Sequence, residues 1–277
     1  MGLLDGHLAL VTGAGRMKGI GRGICMSLAH EGADVVVHEG LRAPESFPAD
    51  ERAAGWQGAA SVAEEIVALG RRALAVSFDV TDAPAIRAAV RQVHDGIGIP
   101  DILVNNAALA GTTGGDSLLE LDDEVWRQLV DVNTTGLYLV TKAFAPGILE
   151  RGGGSIVNIS SIGGRFGIPT YGAYCTTKFG VIGFTQQLAR ELAPTVRVNC
   201  VCPGSVDTDM MRGTYSRRDL RAGTDDGTQR RIALTGVPLA RQGLPHEIGD
   251  AVTFLASDRA TFITGQSLNV DGGVRMD

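Results

Sequence analysis

The chain has 277 residues, of which 20% are charged and 44% hydrophobic, a balance that excludes a disordered protein and suits one large α/β domain or two small ones. Its 25 Lys and Arg residues against 31 Asp and Glu residues give a formal charge of −6, so we expect no nucleic-acid partner. The sequence lacks a run of about 18 apolar residues and a basic, apolar leader, and we therefore expect no membrane span and no secretion.

The cysteines and histidines do not form a metal-binding pattern. Neither residue type shows ligand spacing, so we expect no metal site. The cysteines are better explained as reduced packing residues of a cytoplasmic protein. The residues concerned are Cys25, Cys175, Cys200 and Cys202, with His7, His30, His38, His94 and His246.

Short apolar segments alternate with segments of helical periodicity along the whole chain. In chain order, the patterns predict strands at 8–12, 33–38, 73–78, 102–105, 155–160, 196–201 and 267–270. They predict helices at 20–31, 62–69, 84–95, 124–149, 173–192 and 247–256. Strands separated by such helices are typical of βαβ units. We therefore predict an α/β fold, a three-layer doubly wound parallel sheet in a single domain spanning 1–277.

Two polar stretches fit neither a helix nor a strand. Residues 40–58 follow the second strand and read as a surface excursion. Residues 207–236 are rich in Arg, Asp, Thr and Gly, which is typical of either a disordered segment or a functional lid. We favour a substrate lid at about 208–236, because it follows a strand at the sheet end where α/β proteins bind ligands. Its charged run 217–221 is typical of a solvated face, with an anionic-substrate clamp as the alternative.

A glycine-rich turn joins the first strand to the first helix. Its sequence is Thr12-Gly13-Ala14-Gly15-Arg16-Met17-Lys18-Gly19-Ile20-Gly21. Glycines at such a turn let the backbone approach a pyrophosphate, and the helix N-terminus presents free N–H groups to it. The turn therefore predicts a dinucleotide site, and it lacks the Gly-Lys-Ser/Thr of a P-loop.

The residue at the end of the second strand bears on the choice of cofactor. Glu39 stands there, and a carboxylate at this point accepts the ribose hydroxyls of NAD and repels the 2′-phosphate of NADP. Arg16, Lys18 and Arg42 are basic residues that could meet a 2′-phosphate instead. We predict NAD as the cofactor, with NADP as the alternative.

Tyr174 and Lys178 are four residues apart on a predicted helix and so share one face. A free tyrosine has a pKa near ~10, and a neighbouring cation lowers it, so the pair could exchange a proton with an alcohol or ketone. The strand at 155–160 ends in Ser160-Ser161, where a hydroxyl could stabilise charge on a substrate oxygen. These residues predict an enzyme.

Together these segments resemble the short-chain dehydrogenase/reductase family over essentially the whole chain. Two departures occur: five residues rather than three separate Gly13 from Gly19, and Ala108 stands where glycine is usual. The resemblance also rests on Asp79-Val80, Asn105-Asn106-Ala107-Ala108, Val132-Asn133-Thr134-Thr135-Gly136, Asn199–Gly204 and Val270-Asp271-Gly272-Gly273.

The resemblance implies a Rossmann-fold oxidoreductase that transfers a hydride between a nicotinamide cofactor and a secondary alcohol or ketone. Asn133, Ser161, Tyr174 and Lys178 would be catalytic. Ser161 stands 13 residues before Tyr174, which is the family spacing, and Ser160 is the competing candidate. Asn133 would hold a water that links Lys178 to solvent.

The resemblance also implies a set of cofactor-binding residues. Asp79 and Val80 would hold the adenine, and Asn106 would lie against the adenosine ribose. Lys178 would bind the nicotinamide ribose, and Val206 and Thr208 the carboxamide. The full set is Gly13, Arg16, Gly19, Ile20, Gly21, Glu39, Asp79, Val80, Asn106, Tyr174, Lys178, Val206 and Thr208.

Two other functions compete with this one. A 3-oxoacyl-thioester (acyl-carrier-protein) reductase would prefer NADP and a basic patch at the mouth of the site. A non-catalytic dinucleotide-binding sensor or scaffold would be expected to lose the acid/base residue. Members of the family assemble as tetramers or dimers, so we expect a homotetramer or homodimer that buries helices 124–149 and 173–192.

Overall fold

The computed structural model describes residues 2–111 and 117–276, and seven strands run through these residues. All seven pair in parallel in the order β3-β2-β1-β4-β5-β6-β7. They are β1 (Leu8–Val11), β2 (Asp34–Glu39), β3 (Ala73–Ser77), β4 (Ile102–Asn105), β5 (Gly154–Ile159), β6 (Val196–Pro203) and β7 (Ser267–Val270).

Helices connect the strands, and most of their ends lie within about three residues of the predicted ends, the usual uncertainty of a helix boundary. Before β5 they are α1 (Ile20–His30), α2 (Ala49–Ala53), α3 (Ala59–Ala68), α4 (Ala83–Gly96), α5 (Asp123–Val130) and α6 (Leu137–Glu150). After β5 they are α7 (Gly172–Leu192), α8 (Asp209–Ala222), α9 (Thr228–Leu234) and α10 (Pro245–Ala256).

Apolar cores lie on both faces of the sheet. Alternate residues of β1 point to opposite sides, so Val11 packs with Ile24 of α1, whereas Leu10 packs with Phe144 of α6. This double covering explains why the strands are almost continuously apolar. The predicted three-layer doubly wound parallel sheet is confirmed. Successive strands are added toward one edge of the sheet from β1 to β3 and toward the other edge from β4 onward, and ligands of such sheets bind beside this switch point between β1 and β4.

Three segments differ from their predictions. The expected single helix 124–149 is α5 and α6 joined by a π-helical segment, Asp131–Gly136. The stretch 207–236 is not irregular, because it contains α8 and α9. The excursion 40–58 contains a 3₁₀ turn, Pro44–Ser46, and the short helix α2. Within the described parts of the chain, no helix is both long and apolar enough to cross a membrane.

Candidate active site

Ser161 and Tyr174 meet at the carboxyl end of β5. Ser161 caps the 3₁₀ turn Ile162–Gly164, and its Oγ accepts a hydrogen bond from the Gly163 N–H at 3.1 Å. Tyr174 lies in the first turn of α7, and its hydroxyl is hydrogen-bonded to the Ser161 side chain. The two hydroxyls form one polar pair at the sheet edge where ligands bind.

The neighbouring hydroxyl of Ser160 is turned away from this pair. Ser160 is 3% exposed, and its Oγ donates to the carbonyl oxygen of Lys178 at 2.7 Å. The bond ties β5 to α7. The structure thus brings Ser161, rather than Ser160, to Tyr174.

Lys178 is buried beneath the tyrosine, with 3% of its surface exposed. Its Nζ donates to the carbonyl oxygen of Ile159 at 2.9 Å and lies 5.6 Å from the centre of the Tyr174 ring. Burial lowers the pKa of Lys178 to about 8, because water no longer solvates the ammonium. The two side chains share a helix face, as their spacing predicts.

The expected lowering of the Tyr174 pKa is not seen. Burial instead raises the pKa of Tyr174 to about 12, and the hydrogen bond from Ser161 offsets only part of this shift. The ammonium of Lys178 bonds to a backbone carbonyl and lies 5.6 Å from the centre of the Tyr174 ring. Desolvation of the phenolate therefore outweighs the nearby positive charge, and the phenol keeps its proton at neutral pH.

Asn133 lies in the π-helical segment and is buried. Its Oδ1 accepts from the Leu109 N–H at 2.7 Å, and its Nδ2 donates to the Leu109 carbonyl at 2.9 Å and to Thr177 Oγ1 at 3.1 Å. The side chain thus fastens the loop after β4 to α7. These contacts already engage the side-chain amide of Asn133. The predicted water that would link Lys178 to solvent stays a prediction.

A cavity extends from this site between the sheet and the helices α6 and α7. Lys178 and Asn133 open onto the same space as Val80, which places three of the predicted residues around one cavity. Its other lining residues are Thr12, Asn105, Ala107, Val132, Gly136, Leu137, Val140, Ile159 and Val181.

The glycine turn is held by close backbone contacts. Gly13 has φ +66°, a conformation that favours glycine, and a Cβ at Gly21 would lie 2.6 Å from the Gly13 carbonyl oxygen. Gly19 precedes α1, whose first residue is Ile20, and no side chain caps the helix. The N–H groups of its first turn can therefore bind an anion.

Arg16 and Lys18, the two basic residues of the turn, are both paired with carboxylates. Arg16 lies 3.2 Å from Glu51 Oε1 and 3.3 Å from Asp209 Oδ2, and Lys18 bonds to Asp50. Glu51 also accepts from the Met17 N–H at 2.9 Å. The two extra residues of the turn are thus held by α2 and by the start of α8.

Glu39 ends β2, and both of its carboxylate oxygens are engaged. Oε1 accepts from the Ala59 N–H at 2.9 Å, and Oε2 accepts from Arg42 Nη2 at 3.0 Å. The other side of the Arg42 guanidinium faces Glu51, with 3.9 Å between Nη1 and Oε2. Two carboxylates therefore bracket the positive charge of Arg42.

The residues expected around the adenosine are partly used to hold the backbone. Asn106 donates from Nδ2 to the carbonyl oxygens of Thr12 and Gly13 at 2.8 and 3.0 Å, so its amide nitrogen secures the glycine turn. Asp79 is exposed, and its Oδ1 accepts from the backbone and hydroxyl of Thr81. Val80 is buried beside Gly136.

Val206 and Thr208 lie between β6 and α8. Val206 is buried and pairs with Gly243 in a parallel bridge. Thr208 caps α8, with its Oγ1 accepting from the Met211 N–H at 3.3 Å. They fix the start of the predicted lid.

Sequence reasoning missed several polar residues that support the site. His38 is 1% exposed; its Nδ1 accepts from the Gly13 N–H at 3.2 Å, and its Nε2 bonds to the Phe78 carbonyl at 3.0 Å. Asn105 donates to Asn158 Oδ1 at 2.8 Å across the β4–β5 pair. Polar residues inside continuously apolar strands were the available signal, since buried polar groups need partners.

The cysteines are all free and buried. Cys200 and Cys202 lie close enough to share a hydrogen bond, and both lie near Lys178. In the described ranges, no group of three or more His, Cys, Asp or Glu side chains is arranged to hold a metal ion.

Known proteins resemble the chain along nearly its whole length. Residues 13–275 match a family model described as enoyl-(acyl carrier protein) reductase. The 3-oxoacyl-[acyl-carrier-protein] reductase FabG of Vibrio harveyi is 39% identical over 274 residues, which cover 99% of each chain.

Solved structures show the same similarity. Carveol dehydrogenase from Mycobacterium avium, in complex with NAD, has a TM-score of 0.87 at 36% identity, covering 99% of both chains. A gluconate 5-dehydrogenase from Burkholderia cenocepacia J2315, in complex with NADP and tartrate, has a TM-score of 0.83 at 32% identity, covering 98% of this chain and 96% of that one.

Proposed function

Because the chain belongs to the short-chain dehydrogenase/reductase family, and is therefore an NAD(P)-dependent oxidoreductase acting on CH–OH or keto groups, we propose that Ser161, Tyr174 and Lys178 form its catalytic group. The observation that carries this proposal is the hydrogen-bonded pair of Ser161 and Tyr174 above a buried ammonium. An oxygen of an alcohol or ketone fits such a pair.

The residues around the glycine turn fit a dinucleotide. The first turn of α1 has no side-chain cap and no acidic residue, so its N–H groups and positive dipole end suit a pyrophosphate. When bound, the nicotinamide cofactor supplies or accepts the hydride. Gly13, Arg16, Gly19, Ile20 and Gly21 would surround the pyrophosphate.

Tyr174 is the proton donor for ketone reduction. Its raised pKa keeps the phenol protonated at neutral pH, and the proton passes from the phenol oxygen to the substrate oxygen. Ser161 holds that oxygen in place with its hydroxyl. The positive charge of Lys178 stabilises the phenolate that remains, and alcohol oxidation uses the same steps in reverse.

Replacing Tyr174 by Phe tests the proposal. The change removes the proton donor and keeps the ring, so we expect kcat to fall by roughly 10²–10⁴-fold. Cofactor affinity, measured by fluorescence titration, should stay within about threefold, which is under 1 kcal/mol.

The matched control is Tyr138→Phe, which removes a phenol oxygen from an exposed residue of α6. Its turnover should equal that of the unaltered protein. Wild-type kcat in Tyr174→Phe would exclude Tyr174 as the acid/base.

We further propose NAD as the preferred cofactor. Glu39 places a negative charge where a 2′-phosphate would lie, and like charges repel in a partly desolvated site. Arg16, Lys18 and Arg42, the three candidates for phosphate binding, each already pair with carboxylates. The mouth of the adenosine site thus has no surplus positive charge among these side chains.

Steady-state kinetics with both cofactors measure this preference. We expect kcat/KM to be at least about 10-fold higher with NAD than with NADP, which corresponds to about 1.4 kcal/mol. Glu39→Gln should lower the ratio of kcat/KM with NAD to kcat/KM with NADP, because the neutral amide no longer repels the 2′-phosphate. A higher kcat/KM with NADP would overturn the proposal.

A second candidate substrate class comes from the relative in Vibrio harveyi, which is named as a 3-oxoacyl-[acyl-carrier-protein] reductase. Other relatives are named as dehydrogenases of carveol and gluconate, so the relatives do not agree on a substrate. Assay of 3-oxoacyl thioesters beside simple ketones separates the two candidates.

We also propose a cytoplasmic setting and assembly with further copies of the chain. Four free, buried cysteines suit the reducing cytoplasm. Assembly into a homodimer or homotetramer is supported by exposed aromatic side chains on the two long helices, among them Tyr138 of α6 and Phe179 of α7.

A further inference from the structure

Two neighbouring arginines of α8 lie at the mouth of the candidate site. The guanidinium of Arg218 lies 5.1 Å from the centre of the Tyr171 ring, and that ring meets the Tyr174 ring edge-on, with 6.4 Å between centres. One aromatic ring therefore separates Arg218 from the proposed acid/base. Arg217 is exposed beside it, and the positive charges of both arginines act on the Tyr171 hydroxyl.

Asp219, the carboxylate next to these arginines in the sequence, is used elsewhere, and so is Asp207 before α8. Asp219 accepts from Thr224 Oγ1 and from the N–H groups of Gly227 and Gln229, each at 2.8 Å, and so joins α8 to α9. Asp207 pairs with Arg212 at 3.2 Å.

Arg217 Nη2 donates to the hydroxyl of Thr214 at 3.2 Å. Within residues 2–111 and 117–276, no carboxylate pairs with either Arg217 or Arg218.

Both ends of α8 are anchored, so the arginines are held in position. At its start, the Asp209 N–H donates to the Lys18 carbonyl at 3.2 Å, and the Asp209 carboxylate pairs with Arg16. At its end, Asp219 fixes the turn into α9. A guanidinium stacked on an aromatic ring keeps its fork of N–H donors free for an oxyanion.

We propose that the substrate is an anionic alcohol or ketone, whose carboxylate or phosphate binds Arg217 and Arg218 while its carbinol or carbonyl oxygen faces the Tyr174 hydroxyl. This inference rests on the proposed function and narrows it to a substrate class. It replaces the interpretation of the run 217–221 as a solvated face. The position of Arg218 over the Tyr171 ring favours the anion-binding role, since an arginine that serves only as a solvated surface charge needs no aromatic ring beneath it.

Matched ketones test the charge requirement. The carboxylate series is 4-oxopentanoate, 5-oxohexanoate and 6-oxoheptanoate, each compared with its methyl ester. The phosphate arm compares dihydroxyacetone phosphate with dihydroxyacetone. With reduced cofactor, kcat/KM for the best anion should exceed that of its neutral partner by roughly 10-fold or more, the range of a charge-assisted hydrogen bond.

The double variant Arg217→Gln/Arg218→Gln should lose this preference through a higher KM for the anion, so that kcat/KM for the anion approaches that for its neutral partner in the same variant. Arg190→Gln, an exposed arginine of α7, is the matched control and should keep the preference.

Equal kcat/KM for acids and esters, or an unchanged preference in the double variant, overturns the anionic-substrate inference and leaves the dehydrogenase intact. So does a higher kcat/KM for an acyl-pantetheine thioester than for any anionic ketone. Absence of turnover with every probe contradicts the proposed function itself.

Discussion

His38 shows how one buried side chain supports the cofactor turn. Its ring lies 3.8 Å from the ring of Phe78 and bonds to both the Gly13 N–H and the Phe78 carbonyl. Accepting from Gly13 requires Nδ1 to be unprotonated, so the neutral form fits the site. Burial accordingly lowers the pKa of His38 to about 4.

This shift predicts acid sensitivity. Above pH 6.5 the histidine is neutral in both the folded and the unfolded chain, so it adds no pH dependence. As pH falls from 6.5 to about 4, only the unfolded chain takes up the proton, and the free energy of unfolding falls by up to about 3 kcal/mol. Urea unfolding across this range measures the loss.

His38→Gln removes the titrating group and should flatten that part of the stability profile. His30→Gln, on the exposed surface of α1, should leave the profile unchanged. If the free energy of unfolding fell equally with pH in His38→Gln and in the unaltered protein, His38 would be excluded as the source of the acid sensitivity.

At the scale of elements, the excursion after β2 and the enlarged glycine turn hold each other in place. Glu51 of α2 is fully buried and receives hydrogen bonds from Arg16 and from the Met17 N–H. The Trp56 Nε1–H donates to the Gly15 carbonyl at 2.8 Å. The two extra residues of the turn therefore gain partners from the excursion.

Glu51→Ala should release the excursion. Arg16 and the Met17 N–H would lose their shared acceptor, and breaking a buried ion pair costs about 3–5 kcal/mol. We expect a lower Tm and faster tryptic cleavage after Arg42 and Arg52. Glu45→Ala, an exposed carboxylate of the same excursion, is the control; matching Tm and cleavage rates in both variants would show that Glu51 does not hold the excursion.

The π-helical segment explains why the sequence predicted one helix where the structure has two joined by a wider turn. Residues 124–149 keep a helical periodicity throughout, and the change of hydrogen bonding at 131–136 leaves that pattern almost unaltered. The segment aims Asn133 at Leu109 and Thr177. Only the tertiary contacts distinguish it from a regular helix.

At the scale of the molecule, the protein has a formal charge of −6, yet arginines are grouped on α8 beside its candidate site. Tyr138 of α6 and Phe179 of α7 are both exposed, which suits burial of these helices against a second copy. Apolar surface of this kind is removed from water when subunits associate.

Light scattering should therefore give two or four times the chain mass of 29.0 kDa. Tyr138→Glu should lower the measured mass, because a charge on that face opposes its burial. Val67→Glu, an exposed position on α3, should not. A mass equal to that of one chain would contradict the assembly.

The sequence by itself determined the seven strands and the main helices between them, the glycine turn and the shared face of Tyr174 and Lys178. These features depend on neighbours within a few residues, where periodicity and i,i+4 spacing act. The tertiary structure decided between Ser160 and Ser161, paired Arg16 with Glu51 and Asp209, and brought Arg218 over Tyr171. It also reversed the expected pKa shift of Tyr174, because burial and long-range partners arise only when distant segments pack together.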